Sequence, residues 1–329
     1  MIRIFHHTRY DFIRWWRVAA ITTAAFIALG LGSVLFTGGL RYSIEFTGGT
    51  LMQLEFRQPT AIAQIRSTIR SAGIGDPEIT QFGSDREFTV RAQESEGAAA
   101  AAGTEGTGAS TAARRIQDVL TQRFGADAFQ VVRTEAVGPR VGSELRRGAI
   151  IAILVSFGLT LAYLAVRFEW RFGLAAVLAT AHDVFATLAF IKLLDLEISL
   201  TVIAAILTVI GYSLNDTIII FDRVRENLRK HKGMPLYDLV NLSVNETLPR
   251  SVMTHLTTLG ATLALLIFAG DVIRPFAWVM TFGIFTGTFS SVYVASALLV
   301  WIDRKYPRAV PARAATRPAV RTESPVGAR

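Results

Sequence analysis

Six stretches of this chain are long and apolar enough to cross a bilayer: 18–36, 148–166, 172–194, 199–221, 251–270 and 276–302. Each reaches the roughly 17–25 residues that a helix needs to span the hydrocarbon core. Lipid offers no partners to backbone N–H and C=O groups, so spans of this length and composition fold as helices. A 51% hydrophobic content over 329 residues fits a six-helix polytopic membrane protein better than a soluble domain. A basic segment precedes the first span, as in a signal peptide. However, its apolar run exceeds a signal core and "GLGSVLFTGG" has no clear A-x-A site, so an uncleaved anchor is expected.

Orientation follows from Lys and Arg beside the spans. Segments 1–17, 167–171, 222–250 and 303–329 hold nineteen of them, whereas the short loops 195–198 and 271–275 hold only Arg274, with Lys192 at a span end. Both termini are expected in the cytoplasm and 37–147 outside it, in a plasma (inner) membrane. The net charge of +8 reflects this asymmetry. Anionic lipid or ribosome-side partners account for it, and no nucleic acid is expected. The chain has no cysteine, which excludes disulfides and thiolate chemistry.

The outside segment alternates like strands at 42–56, 78–82, 87–92 and 129–137. Between them, 59–73 places Ile62, Ile65, Ile69 and Ala72 on one helical stripe, and 111–125 does the same with Ile116, Val119, Leu120 and Phe124. The order β-α-β-β-α-β predicts a ferredoxin-like α+β domain inserted between the first and second helices. The Gly/Ala-rich stretch 96–110 reads as a flexible insert, and the tail 303–329, Pro- and Arg-rich from 307, as a disordered basic segment. On the cytoplasmic side, 222–233 extends the fourth span as a basic helix. Leu236, Leu239, Val240 and Leu242 then make 235–249 an amphipathic elbow, expected to lie on the membrane surface. The N-x-S/T matches at Asn215, Asn241 and Asn245 fall in buried or cytoplasmic positions and are not glycosylation signals.

Polar residues inside the spans are the candidates for function. The fourth span carries "GYSLNDTIIIF" (211–221), where Thr208, Tyr212, Asn215 and Asp216 share a face opposite Ile206, Ile210, Leu214 and Ile218. An ionised Asp near the bilayer centre costs ~2.5–3.5 kcal/mol, so it is compensated or used. In the fifth span Arg250, Thr254, Thr257, Thr258 and Ala261 form a stripe, with Ser251, His255 and Thr262 alongside. The third span offers Thr180, Asp183 and Thr187, with His182 beside them. The sixth has Gly283 and Gly287 followed by Ser290, Ser291 and Ala295, a pattern suited to close packing. Asp216 lies about 9 Å inside the boundary at Asp222, and Arg250 enters from the same side, so the two are expected to meet. Two readings follow: an ion pair that fixes helix register, or a carboxylate that loads and releases protons.

The pair His182–Asp183 is either a relay or an Asp bonded to Ser or Thr on a neighbouring helix. His255 is expected to pack or hydrogen-bond. No metal set, nucleotide-binding loop or hydrolytic triad is recognisable, so no enzyme activity is expected. Within "FTGGT" (46–50), Thr47, Gly48 and Gly49 read as a junction where glycines permit a bulge or tight backbone contact.

Five blocks together resemble the SecF branch of the SecD/SecF protein-export family, in the resistance-nodulation-division superfamily. They are "IEFTGGT" (44–50), "VGPRVGSELRRGAI" (137–150), "AHDVFATLAF" (181–190), "AAILTVIGYSLNDTIIIFDRVREN" (204–227) and "NETLPRSVMTHLTTLGATLALL" (245–266). Such proteins form half of a twelve-span machine whose other half is SecD. The resemblance implies a translocon-associated protein that uses the proton-motive force to draw polypeptide outward through SecYEG. SecA indirectly and YajC-like small subunits are further implied partners, and the proton gradient takes the place of a cofactor. It also implies a proton-passage role for Asp216 and Arg250. Glu45 departs from the Asp usual in the family before the Gly pair, and the insert 96–110 is peculiar to this chain. Two rival readings remain: half of a small-molecule exporter, which would have to dimerise because the NDT block occurs once, and a passive scaffold pinned by Asp216–Arg250.

Overall fold

The computed structural model describes residues 8–71, 73–74, 77–81, 84–92, 107–270 and 272–307. A single 3-10 turn, Ile13–Trp15, leads into α1 (Trp16–Phe36), whose 21 residues rise about 31 Å, enough for one crossing. The chain then turns through a short helix α2 (Ile44–Thr47) before β1 (Gly49–Phe56). The strand expected from 42 therefore starts at Gly49. Gly48 explains the break: its φ of 72° is left-handed, and a Cβ there would sit 2.9 Å from Pro139 Cα. The tight contact expected of the glycine pair is thus made, against the first turn of α5.

After β1 come α3 (Ile62–Ser71), β2 (Glu78–Gln81), β3 (Glu87–Ala92), α4 (Thr107–Phe124) and β4 (Phe129–Val137). The strands form one antiparallel sheet in the order β2-β3-β1-β4. Alternation decides its buried face: Met52, Leu54 and Phe56 of β1 and Phe88, Val90 and Ala92 of β3 point inward, against Ile65 and Ile69 of α3 and Ile116 and Leu120 of α4. Phe56 packs edge-on to Phe88 and Phe124, with ring centroids 5.7 and 5.4 Å away. Of the expected flexible insert, 96–106 lies outside the described residues, while 107–110 open α4. Residues 82 and Ala72 also lie outside.

The five remaining spans are α5 (Pro139–Arg167), α6 (Trp170–Leu193), α7 (Leu200–Lys230), α8 (Leu236–Phe268) and a sixth built from α9 (Arg274–Phe289), a π-helical turn (Ser290–Ala295) and α10 (Ser296–Lys305). Half or more of the apolar stretches of α6, α7 and the sixth span is buried, against 17% or less for α1, α5 and α8, so the first three form the centre. Gly283 and Gly287 let the sixth span lie directly on α7: a Cβ on Gly287 would stand 3.0 Å from Ser213 Cβ, and Gly283 presses on Val209. Helix α10 runs to Lys305, three residues into the expected tail; beyond 307 the tail is outside the described residues.

The elbow is continuous with the fifth span: residues 236–250 are the first half of α8, one 33-residue helix containing Pro249, and they pack along the extension of α7. Leu239, Val240 and Val244 share a core with Phe221 and Val224, and Leu236 packs against it. Asn227 ties the hairpin, donating to Ser243 Oγ (3.1 Å) and Glu246 Oε2 (2.7 Å).

The sheet domain is fastened to the bundle near the start of α7. Ser43 N–H donates to the Ile198 carbonyl (2.9 Å) and Ile198 N–H to that of Arg41 (2.8 Å). Arg41 also bridges Glu78 of β2 (2.8 Å) and Asp195 (2.9 Å).

Candidate functional site

Two carboxylates are buried among the central helices. Asp216, 2% exposed, sits where α7 meets α8. Its Oδ1 accepts a 2.5 Å hydrogen bond from Ser251 Oγ, while Oδ2 is buried without a partner. One turn along α8, His255 Nδ1 lies 2.5 Å from the Ser251 carbonyl, and the Tyr212 ring stands edge-on to the imidazole at 5.3 Å. Tyr212 OH donates to Thr258 Oγ1 (3.1 Å) and the Thr254 carbonyl (3.2 Å). Hydroxyls therefore follow Asp216 along the α7–α8 seam.

Asp183, 1% exposed, is the second centre. Its Oδ2 accepts from Ser213 of α7 and from Ser290 of the sixth span, the latter at 2.6 Å, and its Oδ1 lies 3.0 Å from His182 Nδ1. Of the two expectations for this pair, the bond to serines of neighbouring helices is present. His182 Nε2 is buried without a partner.

A short polar track joins the centres. Ser291 lies 3.0 Å, oxygen to oxygen, from Thr217 Oγ1 and also donates to the Ser213 carbonyl at 3.5 Å. Thr217 adjoins Asp216, and Ser213 binds Asp183. The wide turn of the π segment brings both Ser290 and Ser291 inward, a local geometry that often marks functional sites.

The expected meeting of Asp216 and Arg250 does not occur in this structure. Adjacent residues on a helix point about 100° apart, so once Ser251 faces α7, Arg250 cannot. Arg250 is exposed instead, lining a cleft of about 880 Å³ with Arg167, Asp222 and Arg223. The expected stripe on α7 also divides: Asp216 is buried, Tyr212 half-buried, and Thr208 and Asn215 are exposed. Of the α8 set, Thr254 and Thr257 are exposed, Thr258 is half-buried and His255 is buried. Thr47, Gly48 and Gly49 lie on the far side of the fold, where α2 passes into β1.

Ser213 and Thr217 were missed by the sequence pattern, and Ser290 and Ser291 were assigned to packing alone. Ser213 falls three residues before Asp216 and Thr217 one after it, so a helical wheel centred on Asp216 contains the signal.

Comparison with known proteins now bears on the arrangement. A profile of the C-terminal region of the protein export membrane proteins SecD and SecF matches residues 116–305, and the SecD/SecF GG motif matches 33–60. The chain belongs to the SecD/SecF family. Within it the SecF side is indicated: the protein translocase subunit SecF of Gemmatimonas aurantiaca is 59% identical over 94% of this chain and 91% of its own length. SecF of Desulfurispirillum indicum is 45% identical over 90% and 92%. SecDF of Thermus thermophilus is 41% identical over 90% of this chain but only 39% of its own length. Its crystal structure, described as that of a translocon-associated membrane protein, matches with a TM-score of 0.78 at 39% identity, covering 92% of this chain and 40% of that one. A structure of SecDF in a super-membrane-facing form matches less closely, with a TM-score of 0.65. The protein is thus a multi-pass membrane protein and a Sec translocase subunit of the SecF type, corresponding to about two fifths of a fused SecDF chain.

Proposed function

We propose that this subunit pairs with a SecD partner in the inner membrane and couples proton entry to outward movement of polypeptide leaving SecYEG. Both termini face the cytoplasm, a reading supported by the Lys and Arg distribution. The sheet lies outside, as a ferredoxin-like domain, a reading supported by its strand order and two helices. SecA acts indirectly and YajC-like small subunits sit alongside. The proton gradient is the energy source.

The observation that carries this reading is the setting of Asp216. A buried carboxylate whose neighbours are the Ser251 and Ser291 hydroxyls and His255, rather than a guanidinium, is poorly placed to hold a full charge. The ionised acid calls for a cation, and Arg250 waits one residue from Ser251 at the mouth of the cytoplasmic cleft. Proton release and a rotation of this turn of α8 by about 100° would exchange Ser251 for Arg250. Coupling requires that the two states differ in proton affinity, and this exchange supplies the difference. Motion of α7 then reaches the outer domain through its start, where Glu45 is bonded, and through the Thr47–Gly49 junction.

Exchanging the two charges (Asp216→Arg with Arg250→Asp) tests it. A scaffold pinned by opposite charges tolerates the swap. The proton-coupled reading predicts loss of gradient-driven export, with at least a tenfold lower rate, in a protein that still co-purifies with SecD; full activity of the swapped protein would overturn it.

A further inference from the structure

A second site lies away from the carboxylates. Between α1 and the sixth span runs a groove of about 630 Å³. Its floor is shallow side chains at helical spacing, Ala20, Ala24 and Ala28 on α1 and Ala297 opposite, so a channel open to lipid remains beside the Phe26–Phe282 contact that joins the two helices. From Tyr293 to Arg304 the sixth span advances about 16 Å, close to the half-thickness of a hydrocarbon core of ~30 Å. The groove is therefore one leaflet long.

Its mouth, on the side of the two described termini, is built differently from its floor. Trp16 and Trp301 flank it, 41% and 52% exposed, and Arg304 lines it. The Arg17 guanidinium stands 5.6 Å from the Trp16 ring centroid, and Lys305 Nζ stands 5.3 Å from that of Trp301. Indoles ringed by cations are the side chains suited to headgroup depth, and three cations around one opening complement a phosphate. At the inner end of the groove is His182, whose Nδ1 is held by Asp183 and whose Nε2 has no partner.

The geometry points to a binding site for one anionic phospholipid of the terminus-side leaflet, its phosphate at Arg304 and one acyl chain along the alanine floor. The chain acts as a plug. It keeps water from His182 and so isolates the Asp183 network on that flank. This site is independent of the proposed proton role of Asp216 and stands or falls separately.

The test uses the full chain in phosphatidylethanolamine vesicles containing a phosphatidylglycerol with a diazirine on its acyl chain. Photolabelling is expected to concentrate on residues 20–28 and 294–301 and to be competed better by phosphatidylglycerol than by phosphatidylcholine. One basic side chain near a lipid surface contributes about 1 kcal/mol, so Arg304→Gln should lower that preference about fivefold. Ala20→Leu with Ala24→Leu fills the floor and should abolish labelling there while the exposed face of α5 labels as before, which also reports an intact fold. Even labelling of α1 and α5, labelling unchanged by the filled groove, or another subunit's helix cross-linked at these residues in native membranes would each overturn the proposal.

Discussion

Glu45 Oε2 accepts a hydrogen bond from the Leu200 backbone N–H at 2.6 Å, and Ser43 Oγ donates to the same oxygen at 3.1 Å. Leu200 is the first residue of α7, the helix that carries Asp216 sixteen residues later. The segment entering the sheet therefore binds an otherwise unpaired N–H at the positive end of that helix, which links domain and buried acid through one rigid element.

Glu45→Gln should weaken that cap and its favourable charge, costing about 1 kcal/mol of stability. Export should fall more than the loss of stability explains, because the sheet domain no longer follows α7. Glu45→Asp, which restores the acid usual in the family, should retain activity. Thermal unfolding and a vesicle export assay on the two variants separate the effects; equal export by Glu45→Gln and wild type would remove the proposed linkage.

Glu197, in the loop before α7, predicts a pH response of the fastening. Burial pushes its carboxyl above the ordinary glutamate value of 4.5, outweighing Arg91 and Arg41. Arg91 Nη1 lies 3.1 Å from Oε1 and its charge opposes the shift, but burial outweighs it. A raised acid stabilises the docked state when protonated: the contribution is complete below about pH 4.5 and is lost as pH rises through the raised value. Protection factors at 195–198 and along β2, corrected for the intrinsic rise of exchange with pH, should fall over that rise. Glu197→Gln should flatten the dependence, and an unchanged profile in that variant would contradict the assignment.

Asp183 depends on two serines from other helices. Removing either donor leaves a buried oxygen short of a partner, at about 1–3 kcal/mol. Ser290→Ala and Ser213→Ala should each lower the unfolding midpoint, and the double variant should cost more than the sum because both bind one oxygen and the second removal takes its last serine donor. Strict additivity in a double-mutant cycle would argue that the three residues do not act as a unit.

Much of the architecture was legible because it rests on length and period. Six apolar runs set six helices, and alternation in β1 and β3 marks the residues that reach the sheet's core. The failures have physical causes. Residues 42–48 alternate like a strand, yet Gly48 adopts a left-handed conformation and the chain coils tightly before it. Ser251 and Arg250 are neighbours in sequence, and only the phase of α8 against α7 decides which meets Asp216. Ser290 and Ser291 turn inward through a π segment that no helical wheel of period 3.6 anticipates.

The central claim is that the charge on Asp216 is what switches. Vesicles containing the SecD partner, with Asp216 or with Asp216→Asn, should be compared for release of translocating polypeptide in the presence and absence of a proton gradient. The account predicts that Asp216→Asn abolishes the gradient-dependent part while leaving the ATP-driven part and the pairing with SecD intact. Undiminished gradient-dependent release from the Asn protein would contradict it.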